Sequence, residues 1–512
     1  MATITVSNGE IATVPVGQTD TDDVVQSGGT LDVFGTASRT DLERGGIINV
    51  SSGGVAENTF NGGTENIFGT DIGAILLNGT EIINSGGVAS NTNVERSGIA
   101  EVNSGGTATG TIVTLGGALD VGGVAIDTTV RFEALEQITS GGVAIGTTVT
   151  GGAQEIVGGG GTASASVLNG GLETVNGGIA SNTAVASGGE SIIDAGSSIF
   201  DDVLSGGAQI VSGGSAIATS LQSGATELIT GSGVGIGLGD GGGVITVVSG
   251  SVASGTDIDT GSQVIGPGGT DISALILNGG TEIVSGGASS FTFVNSGTLD
   301  VVSGNAVGTT LVGFGSEIIG AHGSGTSLVE KGGSAVVFGT ATSTDITFAG
   351  SQTIENGGSA VSTFINSGGT EVIASGGTAT GTTINGGLLE VASGGAGGDV
   401  NFAPGGGVLH LDASKTFSGT IAGFGSGSEI DLADFAFGKN THVRFKEAKN
   451  DTSGTLTIRT GKHDVDLTLL GQYVTADFKV ASDGAGGTVI TDPLPVASAT
   501  SPVAAVHGSG VT

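Results

Sequence analysis

The stretch NGGSAVSTFINSGGTEVIASGGTATGTTINGGLLEVASGG, residues 356–395, carries the pattern that decides the fold. Two short phrases alternate in it. One is Thr-Glu-Val-Ile running into Ser-Gly-Gly at 370–377; the other is Gly-Gly-Thr-Ala-x-x-Thr-x-Ile at 376–384. Each alternates small or polar with apolar residues, the period of two that belongs to a β-strand. Each closes on Gly-Gly, which admits the positive φ of a tight turn. Gly357 to Gly376, Gly86 to Gly105 and Gly123 to Gly142 each span 19 positions. A period near 20 with turn glycines and no helical periodicity predicts stacked coils.

Working outward, the first phrase recurs as LDV at 31–33, TEII at 80–83, AEV at 100–102, LETV at 172–175, TELI at 226–229, TEIV at 281–284 and LEV at 389–391. The second recurs at 86–94, 105–113, 122–130, 141–149 and 177–185. One phrase alone cannot bury its apolar side, whereas stacking it on its neighbour buries Val and Ile on Val and Ile. Parallel stacking also pairs each strand's backbone groups with the coils above and below. The expected fold is therefore all-β, a parallel β-solenoid, right-handed as parallel crossovers nearly always are. With ~4.8 Å between strands, ~19 coils would make a rod of the order of 90 Å.

The expected organisation is an N-terminal cap over residues 1–26, the repeat solenoid over 27–404, a C-terminal β module over 405–492 and a disordered tail over 493–512. The segment 231–250, GSGVGIGLGDGGGVITVVSG, departs from the pattern and predicts an irregular coil or bulged loop. After Gly405 composition shifts: eight of the 13 Lys and Arg residues lie there. TLTIRT and DVDLTLL flank a GKHD turn and predict a hairpin.

Composition narrows the function classes. Gly is 104 of 512 residues, yet Pro is 6, there is no G-X-Y period, and 37% of residues are hydrophobic, which is enough to bury. Absence of Cys removes disulfides and thiolate chemistry. A net charge of −35 disfavours nucleic acid and anionic membranes as partners, and suits solubility or cation binding. No basic residue precedes Arg39 and no apolar run follows the first Met, so no Sec-type leader is read. No apolar run is long enough for a membrane-spanning helix.

The Ser/Asn-Gly-Gly turns, the Thr-Glu-Val/Ile strands and the Gly-Gly-x-Ala-x-x-Thr-x-Val/Ile strands resemble the strand-loop-strand, or AIDA-type, passenger repeats of bacterial surface adhesins. The resemblance covers about three quarters of the chain. It implies an extracellular β-solenoid displayed at a bacterial cell surface, with a role in adhesion, autoaggregation or biofilm matrix. It also implies O-linked heptose, added by a dedicated glycosyltransferase, on repeat serines and threonines. The acceptors carried over are the serines before Gly-Gly: Ser52, Ser85, Ser104, Ser140, Ser187, Ser205, Ser212, Ser285, Ser367, Ser375 and Ser393. Ser is also simply a good turn residue. A complete autotransporter ends in a membrane barrel of many amphipathic strands; here about 120 residues follow the array, with one Tyr and no Trp. Residues 417–492 instead resemble the C-terminal modules of proteins exported by type I secretion, which implies export information after about Gly405.

Other chemistry is sparse. An acidic slot repeats in the first phrase: Glu81, Glu101, Glu173, Glu227, Glu282, Glu371 and Glu390, with Asp32, Asp120 and Asp300. Stacked in register, these would form a carboxylate ladder on an outer face, either a plain solvated face or a low-affinity calcium ladder. GGAGGD at 394–399 fits one copy of a calcium-binding repeat core, with Asp399 as the ligand, although such sites need consecutive copies. No cofactor other than calcium is implied. The five His residues are isolated, and no nucleophile elbow or phosphate loop stands before a helix. Phe60, Phe291, Phe293 and Phe364 sit in strand phrases and are expected in the core. The leading expectation is a non-enzymatic structural adhesin whose partners are a host or bacterial cell surface or an extracellular polysaccharide. A polysaccharide-acting enzyme on a solenoid scaffold and a calcium-responsive scaffold stay open beside it.

Overall fold

A computed structural model describes residues 3–449 and 451–492. The expectation for the tail at 493–512 lies outside the described residues. The chain divides into two compact units, residues 1–309 and 310–512, and each stacks parallel strands into a β-solenoid.

In the first unit one coil shows the plan. Its first strand is Thr80–Ile83, its second Val88–Ser90 and its third Asn93–Glu95, before the next coil opens with Ile99–Val102. The turn at 84–87 is Asn-Ser-Gly-Gly. Between the second and third strands a single residue, Asn91, turns the chain at φ +57°. Its N–H donates to the carbonyl of Thr109 in the next coil at 2.8 Å. The equivalent residue there is Gly110, at φ +65°, donating to Ile126. The left-handed conformation suits Asn and Gly, as at Asn58, Gly73, Asn91 and Gly110, although Arg39, Ala165, Phe200 and Ser343 adopt it in the same slot.

Successive coils pair in register, but their length is not fixed. Glu65 pairs with Glu81, 16 positions on, and Glu81 with Ala100, 19 positions on. The strands keep their lengths and the turns absorb the difference. Residues of the expected cap join the ladder too: Thr5–Val6 pairs with Val24–Val25, and Ile11–Val14 with Thr30–Val33.

Four inward positions per coil build the interior: the second and fourth residues of the first strand, and the middle residues of the second and third. The fourth-residue row is aliphatic throughout, as in Ile67, Ile83, Val102 and Val121. The second strand contributes Ala89, Ala108 and Ala125, all at most 1% exposed. A further inward residue, usually Thr, precedes the third strand: Thr59, Thr92, Thr111, Thr128 and Thr147.

The segment 231–250 is regular, contrary to the sequence expectation. Val234–Ile236, Gly239–Gly241 and Val244–Val247 pair in register with both neighbouring coils. Here Leu238 occupies the usual Thr slot. A Cβ on Gly235 would lie 2.7 Å from Leu238 Cδ1 and 2.6 Å from Ile229 Cδ1, so glycine replaces Ala to make room.

In the second unit the same plan runs through Thr370–Ile373 and Leu388–Val391, and parallel pairing continues past the composition change to Ser428–Leu432. There the order changes. Thr488–Thr491 pairs antiparallel with Ser428–Leu432, covering that strand's outer edge. The expected hairpin is present as Ser453–Thr460 against His463–Leu470. An aromatic cluster of Phe402, Phe424, Phe445, Tyr473 and Phe478, with ring centroids 5.5–6.0 Å apart, replaces the aliphatic rows.

The narrow Ala row sets a size limit. Ala108→Leu inserts three carbons between Ala89 and Ala125, its register partners, and overpacking of this kind costs about 1–3 kcal/mol. Hydrogen exchange of peptides across residues 80–130 should accelerate while exchange beyond residue 200 is unchanged. Unchanged protection at 80–130 would show that the interior has room.

Candidate functional site

The turns present the serines. Nine of the eleven candidate acceptors, Ser52, Ser85, Ser104, Ser140, Ser187, Ser205, Ser367, Ser375 and Ser393, are exposed, while Ser212 and Ser285 are partly buried. They occupy two kinds of position in the coil. Ser187, Ser205 and Ser367 lie between the third strand and the next first strand, Ser285 lies inside the continuous strand Thr281–Ser290, and the others lie between the first and second strands. In several cases the hydroxyl sits against a glycine of the following coil: a Cβ on Gly105 would lie 2.6 Å from Ser85 Oγ, and one on Gly394 2.6 Å from Ser375 Oγ. Close stacking of Ser on Gly, together with positive φ, fixes the Ser-Gly-Gly motif.

The acidic slot is two rows, not one outer ladder. Glu101, Glu390, Asp32, Asp120 and Asp300 occupy the third position of their strands, outward and half-buried. Glu81, Glu173, Glu227, Glu282 and Glu371 occupy the second position and are at most 1% exposed. The cause is register. Glu81 pairs with Ala100, while Ile82 pairs with Glu101; a one-residue offset moves a side chain from one face to the other. Glu65, Glu136, Glu155 and Glu317 join the inner row, and Asp71 and Asp271 enter it from the second strand.

Glu136, Glu173 and Glu371 bond to hydroxyls, whereas both oxygens of Glu227 and Glu317 lack a hydrogen-bond partner. Thr147 Oγ1 donates to Glu136 at 2.8 Å; Thr183 Oγ1 and Ser191 Oγ donate to Glu173 at 3.2 and 3.1 Å. Thr363 and Thr382 donate to the two oxygens of Glu371 at 2.9 and 3.1 Å. No Lys or Arg of the described residues forms an ion pair with the row; the Arg pairs are Arg39–Asp22 and Arg459–Asp464, both exposed. An unpaired buried carboxylate is costly, so the neutral form is favoured. Burial raises Glu136 and Glu371 to about 7, and Glu173, Glu227 and Glu317 to about 8, although the Thr and Ser bonds to Glu136, Glu173 and Glu371 oppose it. Burial also raises Asp71 to about 6 and holds Glu81 well above the usual carboxylate range, the neighbouring Asp71 charge adding to the rise at Glu81.

Asp399 is exposed, and its Oδ1 accepts from Thr420 Oγ1 at 2.7 Å and Thr420 N at 2.9 Å, which lower its pKa. Among the described residues no group of three His, Asp or Glu is placed to hold a metal ion. The four phenylalanines expected in the core point outward: Phe60 is 48% exposed, Phe291 65%, Phe293 39% and Phe364 51%. Thr59, Thr292 and Thr363 take the inward slot beside them, and the period of two turns the rings out. Sequence reading missed His410, which is outward between Glu390 and Asp431 in register. Its Nδ1 is 2.7 Å from Asp431 and its Nε2 3.2 Å from Asp412. Desolvation lowers its pKa, but the bonds and charges of Asp431 and Asp412 outweigh that and raise it. The strand alternation Leu409-His410-Leu411 was the available signal.

No family model matches the chain, and no curated protein matches it. Among solved structures it is similar to a TibC-catalysed hyper-glycosylated TibA fragment: 24% identity over 73% of this chain and 99% of that one, TM-score 0.25. It is also similar to two double mutants of the tailspike protein of E. coli bacteriophage HK620. One, in complex with a pentasaccharide, is 11% identical over 94% of this chain and 84% of that one, TM-score 0.14. The other is 11% identical over 96% and 84%, TM-score 0.15.

The inner row makes stability depend on pH. Glu371 titrates at about 7 when folded against an ordinary value of 4.5, so the folded chain holds the extra proton between those values. Stability is full below about 4.5 and falls as pH rises through 7. The interval corresponds to about 3 kcal/mol at this site. Glu371→Gln keeps the shape and loses the titration. Urea unfolding of the second unit, read by the fluorescence of its one tyrosine, Tyr473, should show the variant stabilised at pH 8.5 and little changed at pH 5. Equal effects at both pH values would contradict a protonated interior.

Proposed function

We propose that the chain is a secreted or cell-surface structural adhesin: an acidic β-solenoid that mediates attachment, autoaggregation or matrix building, and that carries O-linked glycan on its turn serines. The observation that supports this reading is the display of nine exposed serines at the turns of the coils, six in the first unit and three in the second, on a scaffold whose interior is filled by its own side chains. Such a surface offers many equal, weak contacts, the arrangement from which avidity is built. Its net charge of −35 keeps the chains apart in the absence of a bridging partner. The role is structural, not catalytic, and the setting is the exterior of a bacterial cell. The partners are another cell or a polysaccharide, and for the serines a glycosyltransferase.

Expression at the surface of a bacterium that otherwise stays dispersed should make standing cultures settle several-fold faster. Protein from the native source should exceed the mass of the bare chain, and replacing the nine exposed serines with Ala should remove that excess. Unchanged settling would overturn the attachment role, and a native mass equal to the bare chain would overturn the glycan.

A further inference from the structure

In the second unit the outward face of the third-strand sheet carries a recess of about 250 Å³ lined by Ser343, Thr344, Asp345, Ser362, Phe364 and Asn366. Asp345 and Phe364 are register partners on adjacent coils, so carboxylate and ring stand side by side. The Phe364 ring is 51% exposed. Asn385 Nδ2 donates to Asn366 Oδ1 at 2.8 Å, and Asn366 Nδ2 donates to Asp345 Oδ1 at 2.6 Å. This relay from coil to coil fixes the Asn366 amide and the Asp345 carboxylate in place. It leaves Asp345 Oδ2 and the second Asn366 amide proton for a ligand. Ser343 and Ser362, both at positive φ and exposed, form the side of the recess at the single-residue turn.

We propose that this recess binds one neutral hexopyranose ring of a polysaccharide. The apolar face of a pyranose packs on an aromatic ring, and its vicinal hydroxyls need a preorganised acceptor and donor side by side. A carboxylate acceptor strengthens a hydroxyl bond. The same carboxylate, on a chain of charge −35, turns away uronic and other acidic sugars. The pair recurs in the first unit, where Asp41 is the register partner of Phe60, itself 48% exposed. There the position of Asn366 is taken by Gly62 and those of Ser343 and Ser362 by Arg39 and Asn58, with Arg39 bonded to Asp22. The amide is missing, so the first unit supplies an internal control. The inference rests on the attachment reading and gives it a ligand class.

The test is saturation-transfer NMR on the full chain with methyl glucoside, galactoside and mannoside, and with glucuronic acid as the acidic comparison. A single ring should bind with a Kd on the order of 1 mM. Phe364→Ala and Asp345→Asn should each weaken it at least about tenfold, while Phe60→Ala leaves it unchanged. Unaltered Tyr473 fluorescence in each variant would show that the unit is folded. No transfer from any neutral hexoside, equal binding by glucuronic acid, or full binding by Phe364→Ala would each overturn the site. So would a Phe364→Ala chain that loses self-association in place of sugar binding. Faster settling of expressing cells together with no sugar binding would overturn this site and leave the attachment role standing.

Discussion

The backbone hydrogen bond from each coil to the next is the constraint on which everything else in this chain depends. Val88 N donates to Gly69 O, Thr107 N to Gly87 O and Val124 N to Gly106 O, and so on along the second-strand sheet. Each coil must therefore repeat the path of its neighbour wherever strands pair. An inward side chain has one strand spacing, ~4.8 Å, before it meets its counterpart above and below. That spacing suits the Val, Ile, Leu and Ala rows of the repeat, and aromatic residues enter the core towards the C-terminal end of the parallel stack, around Phe402, Phe424 and Phe478. Length variation is expelled into the turns for the same reason: the coil joining Glu65 to Glu81 is three residues shorter than the one joining Glu81 to Ala100, with no break in either ladder.

The polar inner row follows from the same geometry. A Thr before the third strand and a Glu at the second position of the first face one another across the interior, as Thr363 and Glu371 do. Whereas Glu227 and Glu317 have no such partner, Thr363 and Thr382 each donate to one oxygen of the Glu371 carboxyl. Such a pair stabilises less than two aliphatics would, because burying the carboxyl costs desolvation even when it is neutral. What the pair supplies is a register mark. A slip of one residue would bring Glu371 outward and Val372 inward, leaving Thr363 without its acceptor. In a ladder of near-identical coils, where slippage is the natural error, a polar pair that fits one register only penalises the slipped pairing, and it carries a pH dependence with it.

How much could be read from the sequence divides along this line. Strand phrases, Gly-Gly turns and parallel stacking were legible, since period-two alternation and turn chemistry are local. The C-terminal hairpin at 453–470 was legible for the same reason. Which of two alternating residues faces in was not. LDV and TEII share an acidic residue, yet Asp32 faces out and Glu81 in, because Leu31 and Glu81 hold the same slot. Alignment on the acid merged two rows that alignment on the last aliphatic residue, Val33 and Ile83, would have separated. Phe60 and Phe364 were misplaced by a similar step: hydrophobicity was read before the neighbouring Thr, whose hydroxyl had a partner inside. The glycines at 231–250 read as disorder of pattern because the compensating Leu238 lies three residues from Gly235 and only the fold brings them together.

The outward residues answer to no such constraint, and there departures from the repeat carry information. Any third strand tolerates Thr, Val or Asn on its outer face, as Thr129, Val167 and Asn93 show. A phenyl ring left 51% exposed at Phe364 serves no packing purpose inside the coil that bears it. It stands beside an Asp that two successive Asn residues hold in place, at 2.6 and 2.8 Å. Each of those bonds crosses from one coil to the next, so the group exists only once three coils have stacked. The scaffold that makes the interior monotonous therefore also makes an outer surface on which three ordinary residues, far apart in the chain, are held close enough to act as one.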